Sequence, residues 1–189
     1  MQIKNAVFIK GVVGTDRIFE DGTPQCVILG RSNVGKSSVI NSLTNQKKLA
    51  RVSSFKGSTQ EINIFLINKA FYLVDLPGYG FANVSKEMRL QIQKMMNWYL
   101  YKSGYNFHKL ILVIDADIGP TKDDMEVLAN LKDKTKNIII VANKIDKIKK
   151  TAYEDRLKNL RESFSQYKVI PYSASKKTGV IELTAELLK

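Results

Sequence analysis

Gly30-Arg31-Ser32-Asn33-Val34-Gly35-Lys36-Ser37-Ser38 directly follows a short apolar stretch, Cys26-Val27-Ile28-Leu29, and leads into a helical pattern. Strand, glycine loop and helix in that order make a phosphate grip. The spacing G-x-x-x-x-G-K-[ST] lets the backbone N–H groups between Gly30 and Gly35 fold around an anion, with Lys36 reaching the outer phosphates and Ser37 holding Mg2+. Gly30 and Gly35 are the positions where a side chain would obstruct the wrap. The helix that follows adds its free N–H groups and the positive end of its dipole at the same point. The ligand class this implies is a nucleoside triphosphate, held by Gly30, Arg31, Ser32, Asn33, Val34, Gly35, Lys36, Ser37 and Ser38.

The chain of 189 residues fits one domain, and a domain of this size buries about 70% of the surface its unfolded form would expose. Its single cysteine, Cys26, excludes an internal disulfide and lies in an apolar strand, as a small buried hydrophobe would. The segment from Met1 to Lys10 is too short and too polar for a signal peptide, and no apolar run approaches the roughly 18 residues of a membrane span. The expectation is a cytoplasmic monomer. Thirty Lys and Arg against 18 Asp and Glu give a net charge of +12. That excess points to a polyanionic partner, most simply RNA; the alternative is a solvated lysine-rich surface with no partner.

Apolar runs that read as buried strands lie at Gln25 to Leu29, Ile62 to Ile67, Phe71 to Val74, Leu110 to Ile114, Ile138 to Ala142 and Val169 to Tyr172. Helical patterns separate most of them. One follows Lys36, with Val39, Ile40 and Leu43 on a face; a second opens at Ser85 as N-cap, with Met88, Ile92, Met95 and Tyr99 at helical spacing. Thr121 to Asp124 resembles a capping box and starts a helix with Met125, Leu128 and Leu131 inward. Thr151 to Glu154 starts another, with Leu157, Leu160 and Phe164 inward, and a last one follows Gly179. Alternation of strand and helix predicts an α/β fold, a three-layer arrangement of about six mostly parallel strands with helices on both faces. Only Asn68, Lys69 and Ala70 separate Ile67 from Phe71, so these strands must form a hairpin, and one edge strand is expected to be antiparallel. The long connection Gln46 to Gln60 is polar and basic, and loops of that length are usually functional or disordered.

Three further segments narrow the ligand to GTP. Asp75-Leu76-Pro77-Gly78 closes a strand at the carboxyl end, where open α/β sheets bind ligands. Asp75 can hold Mg2+ through a water, and the Gly78 N–H can approach the γ-phosphate. Asn143-Lys144-Ile145-Asp146 follows another strand. Asp146 presents two acceptor oxygens that match the guanine N1–H and amino group, which adenine cannot satisfy, while Asn143 braces the loop and the Lys144 stem lies over the ring. Ser173-Ala174-Ser175 ends the final strand, where the Ala174 N–H could donate to the guanine carbonyl oxygen.

With those residues in view, the chain resembles the EngB family of bacterial GTPases, within the TrmE-Era class of P-loop GTPases, over nearly its full length. The most specific pieces are GRSNVGKSS, KGSTQ at Lys56 to Gln60, DLPGYGFA at Asp75 to Ala82 and IGPTKDD at Ile118 to Asp124. Phe8-Ile9-Lys10 also resembles the family's amino-terminal segment. The resemblance implies a single Ras-like G domain over residues 1–189, with residues 1–20 as an extension packed on the core. It further implies Mg2+ dependence and a role in assembling the large ribosomal subunit, needed for normal cell division and septation. Lys56 stands where the family commonly has proline, and Asn143 where it often has threonine.

By the same resemblance the loop residues Gly57, Ser58 and Thr59 meet the nucleotide, and Thr59 joins Ser37 and Asp75 around Mg2+ with its N–H on the γ-phosphate. Spacing alone does not choose between Ser58 and Thr59. Lys36, Thr59, Gly78 and Asn33 are the expected catalytic group. The position after Asp-x-x-Gly, a water-positioning glutamine in many GTPases, is here Tyr79, so slow intrinsic hydrolysis is expected. In some TrmE-Era proteins the asparagine at the position of Asn33 helps hold K+, whose charge could stand in for an arginine finger. An alternative reading is a GTP-sensing, rRNA-binding scaffold whose hydrolysis is incidental. The lone His108 has no His or Cys companion, so no metal role is expected for it.

Overall fold

The computed structural model describes residues 2–51, 61–80, 85–132 and 134–189. Among the described residues seven strands form one sheet: β1 (Ala6–Val12), β2 (Gln25–Leu29), β3 (Ile62–Ile67), β4 (Phe71–Asp75), β5 (Lys109–Asp115), β6 (Ile138–Asn143) and β7 (Lys168–Pro171). Their spatial order is β1-β3-β4-β2-β5-β6-β7. β4, β2, β5, β6 and β7 are mutually parallel, while β3 runs antiparallel to both β1 and β4.

The helices are α1 (Lys36–Thr44), α2 (Lys86–Asn97), α3 (Lys122–Leu131), α4 (Tyr153–Ser163) and α5 (Val180–Leu187). Alternate strand residues feed two separate cores, because successive side chains leave a strand on opposite faces. Val27, Leu29, Leu110 and Leu112 meet the apolar sides of α2, α3 and α4. Cys26, Ile28, Ile111 and Val113 meet Val39, Ile40 and Leu43 of α1 and Leu183 and Leu187 of α5. Cys26 is fully buried, and that burial pushes its thiol up to about 12, in keeping with a packing role. Strand order reverses beside β2, so the crevice at the carboxyl ends of β2 and β5 is the topological switch point of the sheet.

The structure corrects the sequence reading in three places. The sheet has seven strands rather than about six, and the antiparallel strand β3 is not at the edge, because β1 pairs along its outer side. β1 escapes pattern analysis because Val7, Phe8 and Ile9 are all exposed and the register shifts between Phe8 and Lys10, so no alternation is visible. In α3, Met125 points outward at 42% exposure and Asp124 takes the inward position instead, one turn before the buried Leu128. Asp124 is drawn in by polar bonds: its carboxylate closes a capping box with Thr121 and also accepts from the Tyr79 hydroxyl at 2.6 Å. Finally, Thr151 lies within a 3-10 turn, Lys150–Ala152, and α4 starts from Ala152 with no side-chain cap. The expected N-caps of α2 and α3, Ser85 and Thr121, are both found.

Candidate nucleotide site

The glycine loop runs from the end of β2 to the start of α1 and is folded by contacts that leave little room for side chains. A Cβ on Gly30 would come within 2.3 Å of the Val113 carbonyl oxygen of β5. Gly35 has a φ of 96°, and a Cβ there would sit 2.5 Å from Nδ2 of Asn143. The glycines are thus required by the neighbouring strands β5 and β6 as much as by any ligand. α1 begins with Gly35 at its N-cap and no side-chain cap bond, the kind of helix start that can receive an anion.

Lys36 opens α1 and points back over the loop, its Nζ donating to the Gly30 carbonyl at 3.4 Å. Ser37 and Ser38 follow on the same turn, both half-buried. Asp75, the last residue of β4, is only 2% exposed and its Oδ1 has no hydrogen-bond partner among the described residues. Burial pushes its carboxyl up to about 6, against the opposing pull of the Lys36 ammonium. Burial likewise lowers the Lys36 pKa, with Asp75 acting to raise it. A buried, orphaned carboxylate oxygen at the carboxyl end of a strand is costly unless a cation meets it. An Mg2+ held partly by the Ser37 hydroxyl would answer that need, since hard oxygen donors suit the ion.

The segment after Asp75 lies directly on the glycine loop. Ser32 N–H donates to the Tyr79 carbonyl at 2.9 Å, and Arg31 and Tyr79 form a parallel bridge. A Cβ on Gly78 would fall 2.8 Å from the Ser32 nitrogen. The Tyr79 hydroxyl donates to Asp124 of α3, and burial together with that carboxylate raises its pKa. Tyr79 therefore ties this segment to α3, a link that no sequence motif announces.

At the other end, three segments meet around Asp146. The Ser173 hydroxyl donates to its Oδ1 at 2.5 Å and the Ser175 hydroxyl to its Oδ2 at 3.0 Å. These bonds, led by Ser173, hold the carboxyl below its ordinary value. Asp146 is exposed, so both oxygens keep lone pairs for an incoming donor edge. Asn143 donates from Nδ2 to the Val34 carbonyl at 2.8 Å and accepts from the Ala174 N–H at 3.2 Å, so the N–H expected to meet a base carbonyl is here used by Asn143. Lys144, at a φ of 68°, crosses to the glycine loop, where its Nζ donates to the Asn33 carbonyl at 2.7 Å.

Sequence reasoning missed Asp115, the last residue of β5. Its Oδ2 receives the Lys144 ammonium at 2.5 Å and its Oδ1 accepts from the Asp117 N–H at 3.1 Å. The signal was present, an acid at the carboxyl end of an apolar strand as with Asp75, but no motif spacing singles it out. Gly57, Ser58 and Thr59 lie outside the described residues. All the other expected site residues line one edge of the sheet, in two groups bridged by Asn143 and Lys144.

Residues 25–144 match the family described as 50S ribosome-binding GTPase. The chain is 42% identical over 187 residues to the probable GTP-binding protein EngB of Acholeplasma laidlawii, covering 98% of this chain and 97% of that protein. It is 41% identical to the corresponding protein of Lactobacillus helveticus, covering 97% and 95%. Among solved structures, that of a probable GTP-binding protein EngB superposes with a TM-score of 0.70 at 24% identity, covering 87% of this chain and 96% of that one. Era in complex with MgGDPNP and nucleotides 1506–1542 of 16S ribosomal RNA superposes with a TM-score of 0.69 at 24% identity, covering 88% and 56%.

Proposed function

We propose that this chain, which belongs to the EngB family of GTP-binding proteins and is a GTPase, acts as a slow, Mg2+-dependent switch in large ribosomal subunit assembly, in the cytoplasm, as normal division and septation require. The observation that carries the switch reading is the Ser32 N–H bond to the Tyr79 carbonyl, which rests the Asp75–Gly78 segment on the phosphate loop. A γ-phosphate drawing the Gly78 N–H toward itself would have to move Tyr79, and with it the bond to Asp124 of α3.

In this reading the loop from Gly30 to Ser38 cradles the phosphates with its N–H groups, and Lys36 spans the outer ones. Asp146 accepts from the guanine N1–H and amino group, Asn143 and Ser173 to Ser175 keep its loop in place, and the Lys144 stem covers the ring. Ser37 and Asp75, with Thr59, would hold Mg2+. When bound, the ion neutralises charge building on the transferring phosphoryl group. Residues 1–189 act as a single G domain, with residues 1–20 joined to it through β1. The ribosomal RNA contact is supported by the +12 net charge and by the exposed Lys47, Lys48 and Arg51 on the loop after α1, which make no ion pair among the described residues. No helix among the described residues is long and apolar enough to cross a membrane.

Tyr79 favours a second reading, a GTP-sensing scaffold with incidental hydrolysis, because its hydroxyl serves α3 and no amide stands in its place to orient water. Single-turnover GTP hydrolysis with and without large-subunit particles separates the two. The switch reading expects faster hydrolysis on the particle, and association that is tighter with GTP than with GDP and weakens steeply with salt. Affinity indifferent to the nucleotide would remove the switch. The side chain of Asn33 is exposed at the mouth of the loop, as a K+ contact there requires. Hydrolysis is therefore expected to be faster in KCl than in NaCl, and equal rates would remove K+ from the mechanism.

A further inference from the structure

At the opposite edge of the sheet, where β5, β6 and β7 begin, a cavity of about 460 Å3 is lined by residues that include His108, Lys109, Lys136, Tyr167, Lys168 and Lys189 together with the acid Glu186. Its size falls in the range of about 300–1,000 Å3 typical of ligand-binding cavities. We propose that this cavity is a second RNA contact, which takes a single-stranded segment with its phosphates on the lysines and a base against Tyr167. The proposal rests on the reading above that the protein touches ribosomal RNA, and adds a site that the nucleotide-linked loop does not supply.

The charge is organised rather than scattered. Lys109 is 6% exposed and its ammonium donates to the Glu186 carbonyl at the end of α5. Lys168 bridges Glu182 at 3.1 Å and Glu186 at 2.8 Å, and Lys189 reaches Glu186 at 2.6 Å. Glu186 is held down to about 2 by Lys168 and Lys189. Four lysines thus stand against two carboxylates: Lys168 and Lys189 pair with them, Lys109 is held by a backbone carbonyl, and Lys136, exposed just before β6, has no ion-pair partner among the described residues. Part of this arrangement stabilises the negative end of the α5 dipole. The surplus remains, and Lys132 and Lys134, in the connection leading to Lys136, extend it along the same edge.

A concave, cationic cavity with an aromatic wall suits a splayed single strand better than a duplex, whose backbone would meet only the rim. Tyr167 lines the cavity half-buried, resting against the core, and the exposed His108 lines it too. β5 runs from Lys109 at this cavity to Asp115 at the guanine end, about 20 Å away at the rise of a strand. RNA and GTP would therefore bind without competing.

The test is fluorescence anisotropy of a labelled oligouridylate of about twelve nucleotides on the full chain with Mg2+ and GTP present. Lys136→Glu combined with Lys189→Gln is expected to weaken binding about tenfold and to reduce the slope of log K against log salt by about 1.4, as for two lost single-strand phosphate contacts. Tyr167→Ala is expected to weaken it by a similar factor with the slope unchanged. GTP affinity should stay constant in all variants, which also verifies folding. Unchanged RNA affinity in the lysine variant, with loss on reversing Lys47, Lys48 and Arg51, overturns this site alone. Failure of the unmodified chain to bind the oligonucleotide overturns both this site and the RNA contact proposed above. Competition by oligoglutamate as strong as by oligouridylate, with Tyr167→Ala silent, overturns a nucleic-acid strand as the occupant.

Discussion

Asp146→Asn is expected to lower GTP affinity by about a thousandfold and to create affinity for xanthosine triphosphate. The carboxylate offers two acceptors, with the Ser173 and Ser175 hydroxyls fixing its orientation. Guanine presents two donors, N1–H and the amino group, so the edges match. An asparagine keeps one acceptor and turns the other position into a donor, which confronts the guanine amino group with another donor. Xanthine carries a carbonyl there and restores the match. A site built for paired hydrogen bonds rejects a mismatched partner by large factors because polar atoms are left unpaired. Titration calorimetry with GTP and XTP reads the exchange directly. Equal GTP affinity in the variant would show that Asp146 does not read the base.

The second large effect concerns Asp75. Its folded pKa of about 6 lies above the ordinary 3.8, so the folded chain binds a proton more tightly than the unfolded chain between those values. Stability without nucleotide therefore falls as pH rises through that window, and the loss, on the order of 2–3 kcal/mol, is complete above it. Asp75→Asn removes the buried charge, so the nucleotide-free variant should melt higher than the unmodified protein at pH 7.5, with the gain shrinking toward pH 4. The Lys36 ammonium loses its countercharge in the variant, which trims the gain. With Mg2+ and GTP the order should reverse, because the unmodified protein alone gains the metal-linked stabilisation. Thermal melts across pH, with and without Mg2+ and GTP, test both halves. Parallel melting curves at every pH would remove Asp75 as a strained metal ligand.

Both predictions concern positions that stand out in the sequence because Asp75 ends an apolar strand and Asp146 follows closely on another. All six strands expected from the sequence are found, as β2 to β7, each within a residue of its expected bounds. Such runs are legible because both faces of the sheet are covered there, so most residues in them are apolar. β1 is different. It lies at the edge with Val7, Phe8 and Ile9 exposed, and the pairing that makes it a strand comes from β3, some fifty residues away. No local pattern records such a pairing.

Local spacing by itself determined the phosphate loop, the segments at Asp75 and Asp146, and the alternation that builds a three-layer α/β domain, because each depends on residues within one turn or one strand of each other. The partners of those segments were decided only by the tertiary structure: Asn143 on the Val34 carbonyl, Lys144 on Asp115, Tyr79 between Ser32 and Asp124, and Asp75 with one oxygen unpartnered among the described residues. These contacts join residues far apart in the chain. Which polar atoms end up satisfied, and which are left waiting for a ligand, depends on how the strand ends converge in space.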